Sequence, residues 1–173
     1  MKKPKIELKN IKINHGLSQE THAYTATVYV DGKRWAMASN HGCGGPDDVS
    51  PLKSGTATYR EIRKELQELN VRIGETYPPY TFDSAGLDPM KQDLETVCGE
   101  LLNRHLIRKE YKRLNRKYLL FTTSVGPGVY QITRTKEDTA EHKKRIRKQY
   151  DGETLTFLED LPEEEAETAL RSA

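Results

Sequence analysis

Two runs of alternating apolar and polar residues, Glu20–Val30 and Lys33–Asn40, flank the dipeptide Asp31-Gly32. Asp-Gly favours positive φ at both central turn positions, so the pattern predicts a hairpin closed by a two-residue turn. That register pairs Val30 with Lys33, Val28 with Trp35 and Ala26 with Met37. Carried outward, it pairs Tyr24 with Ser39, His22 with His41 and Glu20 with Cys43. Side chains alternate across a strand, so all of these share one face. On it an apolar patch grades into a polar cluster of Glu20, His22, His41 and Cys43. A three-residue loop with a glycine bulge is the competing geometry and sets Val28 beside Arg34 or Thr27 beside Trp35. The two-residue turn matches apolar to apolar and is preferred, because a one-residue slip sends a strand's side chains to the wrong face.

The pattern continues on both sides of the hairpin. Lys5–Ile13 predicts a first strand whose apolar phase changes at Lys9-Asn10, the mark of a bulge. His41–Ser50 is a glycine-rich loop. Tyr59, Ile62, Leu66, Leu69 and Ile73 recur at helical spacing and predict a helix over about 56–71, with Gly74 as its stop. Two adjacent prolines make 75–87 an extended connection. Asp88-Pro89 has the form of an N-cap and first helical residue, opening a helix to about Tyr118. That helix carries two apolar faces: Leu94, Val97, Cys98, Leu101 and His105 on one, Ile107, Tyr111, Leu114 and Tyr118 on another. Either it breaks near Asn103 or its halves dock on different surroundings. Leu119–Ser124 and Val129–Arg134 predict a second hairpin. Thr135–Asp138 resembles a capping box opening a helix to about Gln149. A short strand, Thr154–Leu158, and a final acidic helix beginning near Asp160-Leu161-Pro162 complete the chain.

These elements predict an α+β fold: one antiparallel sheet, built from the three N-terminal strands and the 119–134 hairpin, covered by helices. A single domain is expected over residues 1–158, with an acidic C-terminal helix or tail over 159–173. Hydrophobic residues make up 35% and charged residues 31% of the 173 positions, so the core is modest and the surface heavily charged. No run is long enough to span a membrane, and no apolar segment of signal-peptide type follows Met-Lys-Lys-Pro-Lys. Two cysteines, Cys43 and Cys98, do not make a disulfide framework. A cytoplasmic location is the expectation.

Charge changes the picture more than composition does. Residues 151–173 hold eight acidic residues and one basic, which leaves +9 on residues 1–150 of a chain whose net charge is +2. Such asymmetry points to an anionic partner for the body or to self-masking by the tail. Arg104, Arg108, Lys112 and Arg116 form one i,i+4 row; Lys109, Arg113 and Lys117 form the adjacent one. Lys143, Lys144, Arg145 and Arg147 add a second cluster. Such rows neutralise phosphates without reading base sequence. The competing reading is a solvated face balanced by the acidic tail.

Two further constellations carry candidate chemistry. Glu20, His22, His41 and Cys43 are acceptable transition-metal ligands if they converge, but no pair has zinc-finger spacing, so no metal is assigned. In the loop after the hairpin, Asn40, Gly42, Gly44 and Gly45 can present backbone N–H groups to an anion. It lacks the GxxxxGK[ST] phosphate-loop pattern, and a structural turn is the preferred reading. No motif calls for a cofactor. Tyr77, Tyr80 and Phe82 on the proline-bearing connection suit stacking on bases or clamping the connection to its domain, the latter being preferred.

Glu20-Thr21, Ala23-Tyr24-Thr25-Ala26-Thr27-Val28-Tyr29-Val30-Asp31-Gly32-Lys33 and Asn40-x-Gly42-x-Gly44-Gly45 together resemble a group of small uncharacterised bacterial and phage proteins. Their shared pattern is E-T-x-x-[FY]-x-A-x-[VL]-Y-V-x-G-K followed by N-x-G-x-G-G. The resemblance covers about 30 residues and implies a phage or mobile-element accessory context without implying an activity. Positions 41 and 43 vary in that pattern, which favours a structural or anion-binding role for the loop over a metal site.

The function expected from these readings is a non-enzymatic accessory protein. Its basic helices would bind nucleic acid or the acidic surface of a host nucleoprotein, with antagonism of a host defence system as its use. The alternative is a small nucleotide-processing hydrolase, with His22 or His41 as general acid or base and the 40–47 loop holding phosphate.

Overall fold

A computed structural model describes residues 2–52, 57–81 and 88–171. The fold is α+β, and its strands lie in two separate antiparallel sheets, not in the single sheet expected. The chain divides into two compact units, Met1–Leu102 and Asn103–Ala173. Within the second unit the C-terminal segment shares a core with the second hairpin, through Leu120, Leu158 and Ala166.

The first unit holds β1 (Ile6–Ile13), β2 (Tyr24–Val30), β3 (Lys33–Asn40) and β4 (Asp48–Pro51), hydrogen-bonded in that order. The predicted bulge in β1 is present: the pairing with β2 shifts between Lys9 and Lys12, and Asn10 sits at φ 55°. The two-residue turn is also present, with Asp31 at φ 49°, Gly32 at φ 81° and Val30 opposite Lys33.

The register beyond the turn differs from both expected geometries. Tyr29 pairs with Arg34 but Val28 pairs with Ala36, so Trp35 is an extra, bulged residue. The physical reason is volume. The bulge sends Ala36 and Ala38, both fully buried, to the face shared with Val28 and Ala26, while Trp35 and Met37 stay half-buried. It also sets Asn40, in place of Ser39, opposite Tyr24. β4 is an unexpected strand within the predicted loop, pairing Ser39 with Asp48 and Ala38 with Val49.

Helix α1 (Tyr59–Thr76) starts from a full capping box in which Thr58 and Glu61 bond each other's backbone N–H. Of its predicted stripe only Leu69 and Ile73 are buried; Tyr59 is 75% exposed. Gly74 does not stop it. The helix continues to the residues before Pro78-Pro79, and Gly74 instead admits close approach, since a Cβ there would lie 3.3 Å from the Gln92 carbonyl oxygen.

Helix α2 (Leu94–Asn115) begins later than Asp88-Pro89, where Met90 forms a bridge with Tyr80. Asp93 caps it, its carboxylate accepting from the Thr96 N–H at 2.8 Å, while Asn70 of α1 accepts from the Leu94 N–H at 3.0 Å. The helix is unbroken at Asn103, so its two apolar faces serve two cores. Leu94, Val97, Cys98 and Leu102 are buried in its first half.

The second unit holds β5 (Tyr118–Thr123), β6 (Tyr130–Thr133) and β7 (Leu155–Phe157), with β5 central. Leu119, Phe121 and Leu120 are all buried, so β5 is covered on both faces. One face packs Leu119, Phe121 and Phe157 against Ile146 of α3 (Thr139–Gln149). The other packs Leu120 and Leu158 against Tyr111 and Leu114 of α2 and Ala166 of α4 (Glu163–Arg171). α3 starts from Asp138, whose side chain accepts from the Ala140 N–H at 2.9 Å, and not from Thr135.

Candidate binding surface and the glycine loop

Asn40 is the hub of the loop that follows β3. It is buried, and its amide donates to the Gly45 carbonyl and to Asp47 Oδ1, each at 2.9 Å. Its Oδ1 accepts from the Thr21 hydroxyl at 2.9 Å and the Gly42 N–H at 2.8 Å. A carboxamide offers two donors and two acceptor lone pairs, so Asn40 is saturated.

The surrounding groups are equally committed. The Gly42 carbonyl accepts from the N–H groups of Gln19, Glu20 and Thr21. The Gly44 N–H donates to Thr21 Oγ1 at 3.3 Å, and the Tyr24 hydroxyl donates to Asp47 Oδ2 at 2.7 Å. Burial first, then this bond to Asp47, push the Tyr24 hydroxyl well above its ordinary value. Cys98 lies in the same region, where burial and the nearby carboxylates of Asp47, Asp93 and Glu95 push its thiol up to about 12.

Two of the loop's glycines sit at positive φ, and at Gly42 the backbone itself leaves no room for a side chain. Gly42 sits at φ +86°, where a Cβ would stand 2.3 Å from the Leu17 carbonyl oxygen. Gly44 sits at φ +82°, where a Cβ would stand 2.1 Å from a carboxylate oxygen of Glu20. The N–H groups of Gly42 and Gly44 thus serve Asn40 and Thr21, and the arrangement is that of a braced turn.

The expected ladder to the histidines does not form, because β2–β3 pairing ends at Tyr24 and Asn40. His22 and His41 are both exposed, and Cys43 is exposed beside them in sequence. Among the described residues no three His, Cys, Asp or Glu side chains converge to hold a metal ion. His41 does line a small cleft of about 290 Å³ with Lys12, Leu17 and Asn40.

The basic residues of the second unit divide into paired and unpaired sets. Arg108 Nε lies 2.6 Å from Glu167 and 3.3 Å from Glu163; Lys112 lies 3.4 Å from Glu163. Lys143 is held by Glu159 at 2.8 Å and Asp160 at 2.5 Å, and only 12% of its side chain is exposed. Arg113 pairs with Glu110, Arg145 with Glu137 and Lys144 with Glu141. Arg147 is exposed, with its guanidinium over the Phe157 ring. Arg104, Lys109, Arg116 and Lys117 are exposed and have no ion pair among the described residues.

The acidic segment is therefore an integral part of the surface. Glu159 bridges Lys143 and Arg134, and Arg134 also donates to the Asn115 carbonyl at 2.8 Å. Burial pushes the Glu159 carboxyl up, but Lys143 and Arg134 outweigh it and hold the group below its ordinary value. Glu159, Asp160, Glu163 and Glu167 were absent from the sequence-derived site. Two signals pointed to them: the concentration of acid in residues 151–173, and the i,i+4 interval of Glu163 and Glu167, which repeats that of Arg108 and Lys112. Thr21 and Asp47 were missed at the loop for a different reason, since only folding brings them to Asn40. Among the described residues no helix is long and apolar enough to cross a membrane. Comparison with protein-family models, curated proteins and solved structures found no match.

Proposed function

We propose that this chain is a non-catalytic binding protein whose second unit docks nucleic acid through the outward cations of α2. One observation supports this above others. Lys109 in the last turns of α2 and Arg116 in the turn that follows it are both exposed and have no ion pair among the described residues. Lys112 and Arg113 lie between them in sequence. Exposed, unpaired cations neutralise a phosphate backbone and carry no base-reading chemistry. The unit as a whole holds 15 basic and 12 acidic residues, so its excess of +3 depends on where the unpaired cations lie.

The resemblance of the first hairpin to small phage and bacterial proteins supports an accessory role in a mobile element, with antagonism of a host defence system as its use. The hydrolase alternative gains no observation: the loop's Gly42 and Gly44 N–H groups are already bonded within the protein, and His22 and His41 are exposed.

Fluorescence anisotropy with a labelled single-stranded oligonucleotide and with a duplex tests the proposal. Binding should weaken steeply as salt rises, and Lys109→Glu with Arg116→Glu should lower affinity by about tenfold or more at low salt. Absence of binding at low salt, or indifference to the double charge reversal, rejects it. Capture of an acidic protein that survives nuclease treatment would move the partner from nucleic acid to protein.

A further inference from the structure

The cations of α2 facing α4 are already occupied by an internal anion. Glu163 and Glu167 are one helical turn apart, and so are Arg108 and Lys112. Each pair spans about 6 Å along its helix axis. Glu167 bonds Arg108, and Glu163 reaches both Arg108 and Lys112. Two carboxylates one turn apart present oxygens to these cations as consecutive phosphates of a strand do.

We propose that α4 is a ligand in cis: it fills the Arg108–Lys112 anion site and is displaced when a nucleic-acid strand binds. The inference rests on the nucleic-acid reading above and adds to it a competitor built into the chain.

Three observations support displacement over permanent attachment. First, the apolar anchor of α4 is small. Ala166 is its fully buried apolar residue and Ala169 packs beside it, so the helix meets the Leu120–Leu158 core with small side chains, and Leu170 is only half-buried. Secondly, α4 has nine residues, fewer than the dozen or so that an isolated helix needs to persist in water, so its helical form depends on docking. Thirdly, the site stays reachable: 41% of the Arg108 side chain and 60% of the Lys112 side chain remain exposed.

The competition is unequal in its reach. α4 contacts Arg108 and Lys112 and leaves Lys109 and Arg116 without an ion pair among the described residues. A strand that displaces it gains those two cations as well. At low salt every added phosphate contact strengthens the strand relative to α4, whose own pairs number few.

The test compares the full-length protein with the double variant Glu163→Gln, Glu167→Gln, using an oligothymidylate strand as the probe. Glutamine keeps the shape and the acceptor oxygen while removing the competing charge. Affinity at low salt should rise about tenfold, while the dependence of log affinity on log salt should stay nearly the same, because the bound strand engages the same phosphates in both proteins. Glu164→Gln with Glu165→Gln removes the same charge from positions without an ion pair among the described residues, and should change affinity far less. Hydrogen exchange should show α4 amides losing protection when the probe binds the unmodified chain. Equal affinity for the two double variants overturns the inference, as does undiminished protection of α4 in the complex. If the probe binds the unmodified chain but the Glu163/Glu167 variant gains nothing, the inference falls and the nucleic-acid reading stands. If neither protein binds, both fall. Should the double variant not fold, Glu163→Gln alone gives the same comparison, because that side chain is 47% exposed.

Discussion

Arg108 Nε donates to Glu167 Oε1 at 2.6 Å across 59 residues of sequence, and only 8% of the Glu167 side chain reaches solvent. This is a nearly buried acid held by a half-exposed base. Removing the base strands the acid, which costs more than the pair itself contributes. Arg108→Ala should therefore lower stability by about 1–3 kcal/mol, and Glu167→Gln by less, because the amide still accepts from Nε. Urea denaturation of both single variants and the double variant checks this, with non-additivity as the expected result. Additive losses would show that the pair is not coupled.

Asn40→Asp is nearly isosteric and should be severely disruptive. The change replaces the amide donors facing the Gly45 carbonyl and Asp47 Oδ1 with a carboxylate oxygen. Acceptors would then oppose acceptors at 2.9 Å in a buried position. A loss of about 3 kcal/mol or more is expected. Adding Asp47→Asn should recover part of it, since that amide can donate to the new carboxylate.

Alanine at the glycines should give a graded series in thermal denaturation. Gly42→Ala combines a left-handed φ with a 2.3 Å clash against the Leu17 carbonyl and should cost about 3 kcal/mol or more. Gly32→Ala meets open space at φ +81° and should cost about 1 kcal/mol. Gly45→Ala, with open space and no positive φ, should stay within about 0.5 kcal/mol of the parent.

Glu159 gives the second unit an acid-sensitive joint. Its folded-state value lies below the ordinary 4.5 because Lys143 and Arg134 outweigh the effect of burial. A depressed acid contributes stability that is present above its unfolded value and lost as pH falls through its folded one. Glu159→Gln should thus be less stable than the parent near neutrality, and the gap should narrow as pH drops below the ordinary carboxylate range. Urea midpoints at neutral pH and near pH 3 test the sign; a gap that widens in acid contradicts it.

Much of the backbone was legible in local pattern. Asp31-Gly32 specified its turn because the dipeptide tolerates positive φ, and the phase change at Lys9-Asn10 marked a bulge because strand faces alternate strictly. The second hairpin followed from the same alternation. The two apolar faces of α2 announced two sets of surroundings, and the helix indeed serves one core with Leu94, Val97 and Cys98 and another with Tyr111 and Leu114. What stayed hidden was the Trp35 bulge. Nothing local to Arg34-Trp35-Ala36 requires it; the demand for small side chains under a packed face does. That slip moved Asn40 opposite Tyr24 and ended the ladder before His22 and His41.

The basic rows illustrate the same boundary. Composition and helical spacing alone determined that cations line the second half of α2 and that acids crowd the C-terminus. Which cations remain outward was decided only by folding, when Ala166 seated α4 on the Leu120–Leu158 core and carried Glu163 and Glu167 to Arg108 and Lys112. Periodicity is written within one element, whereas an ion pair spanning 59 residues depends on where two elements dock.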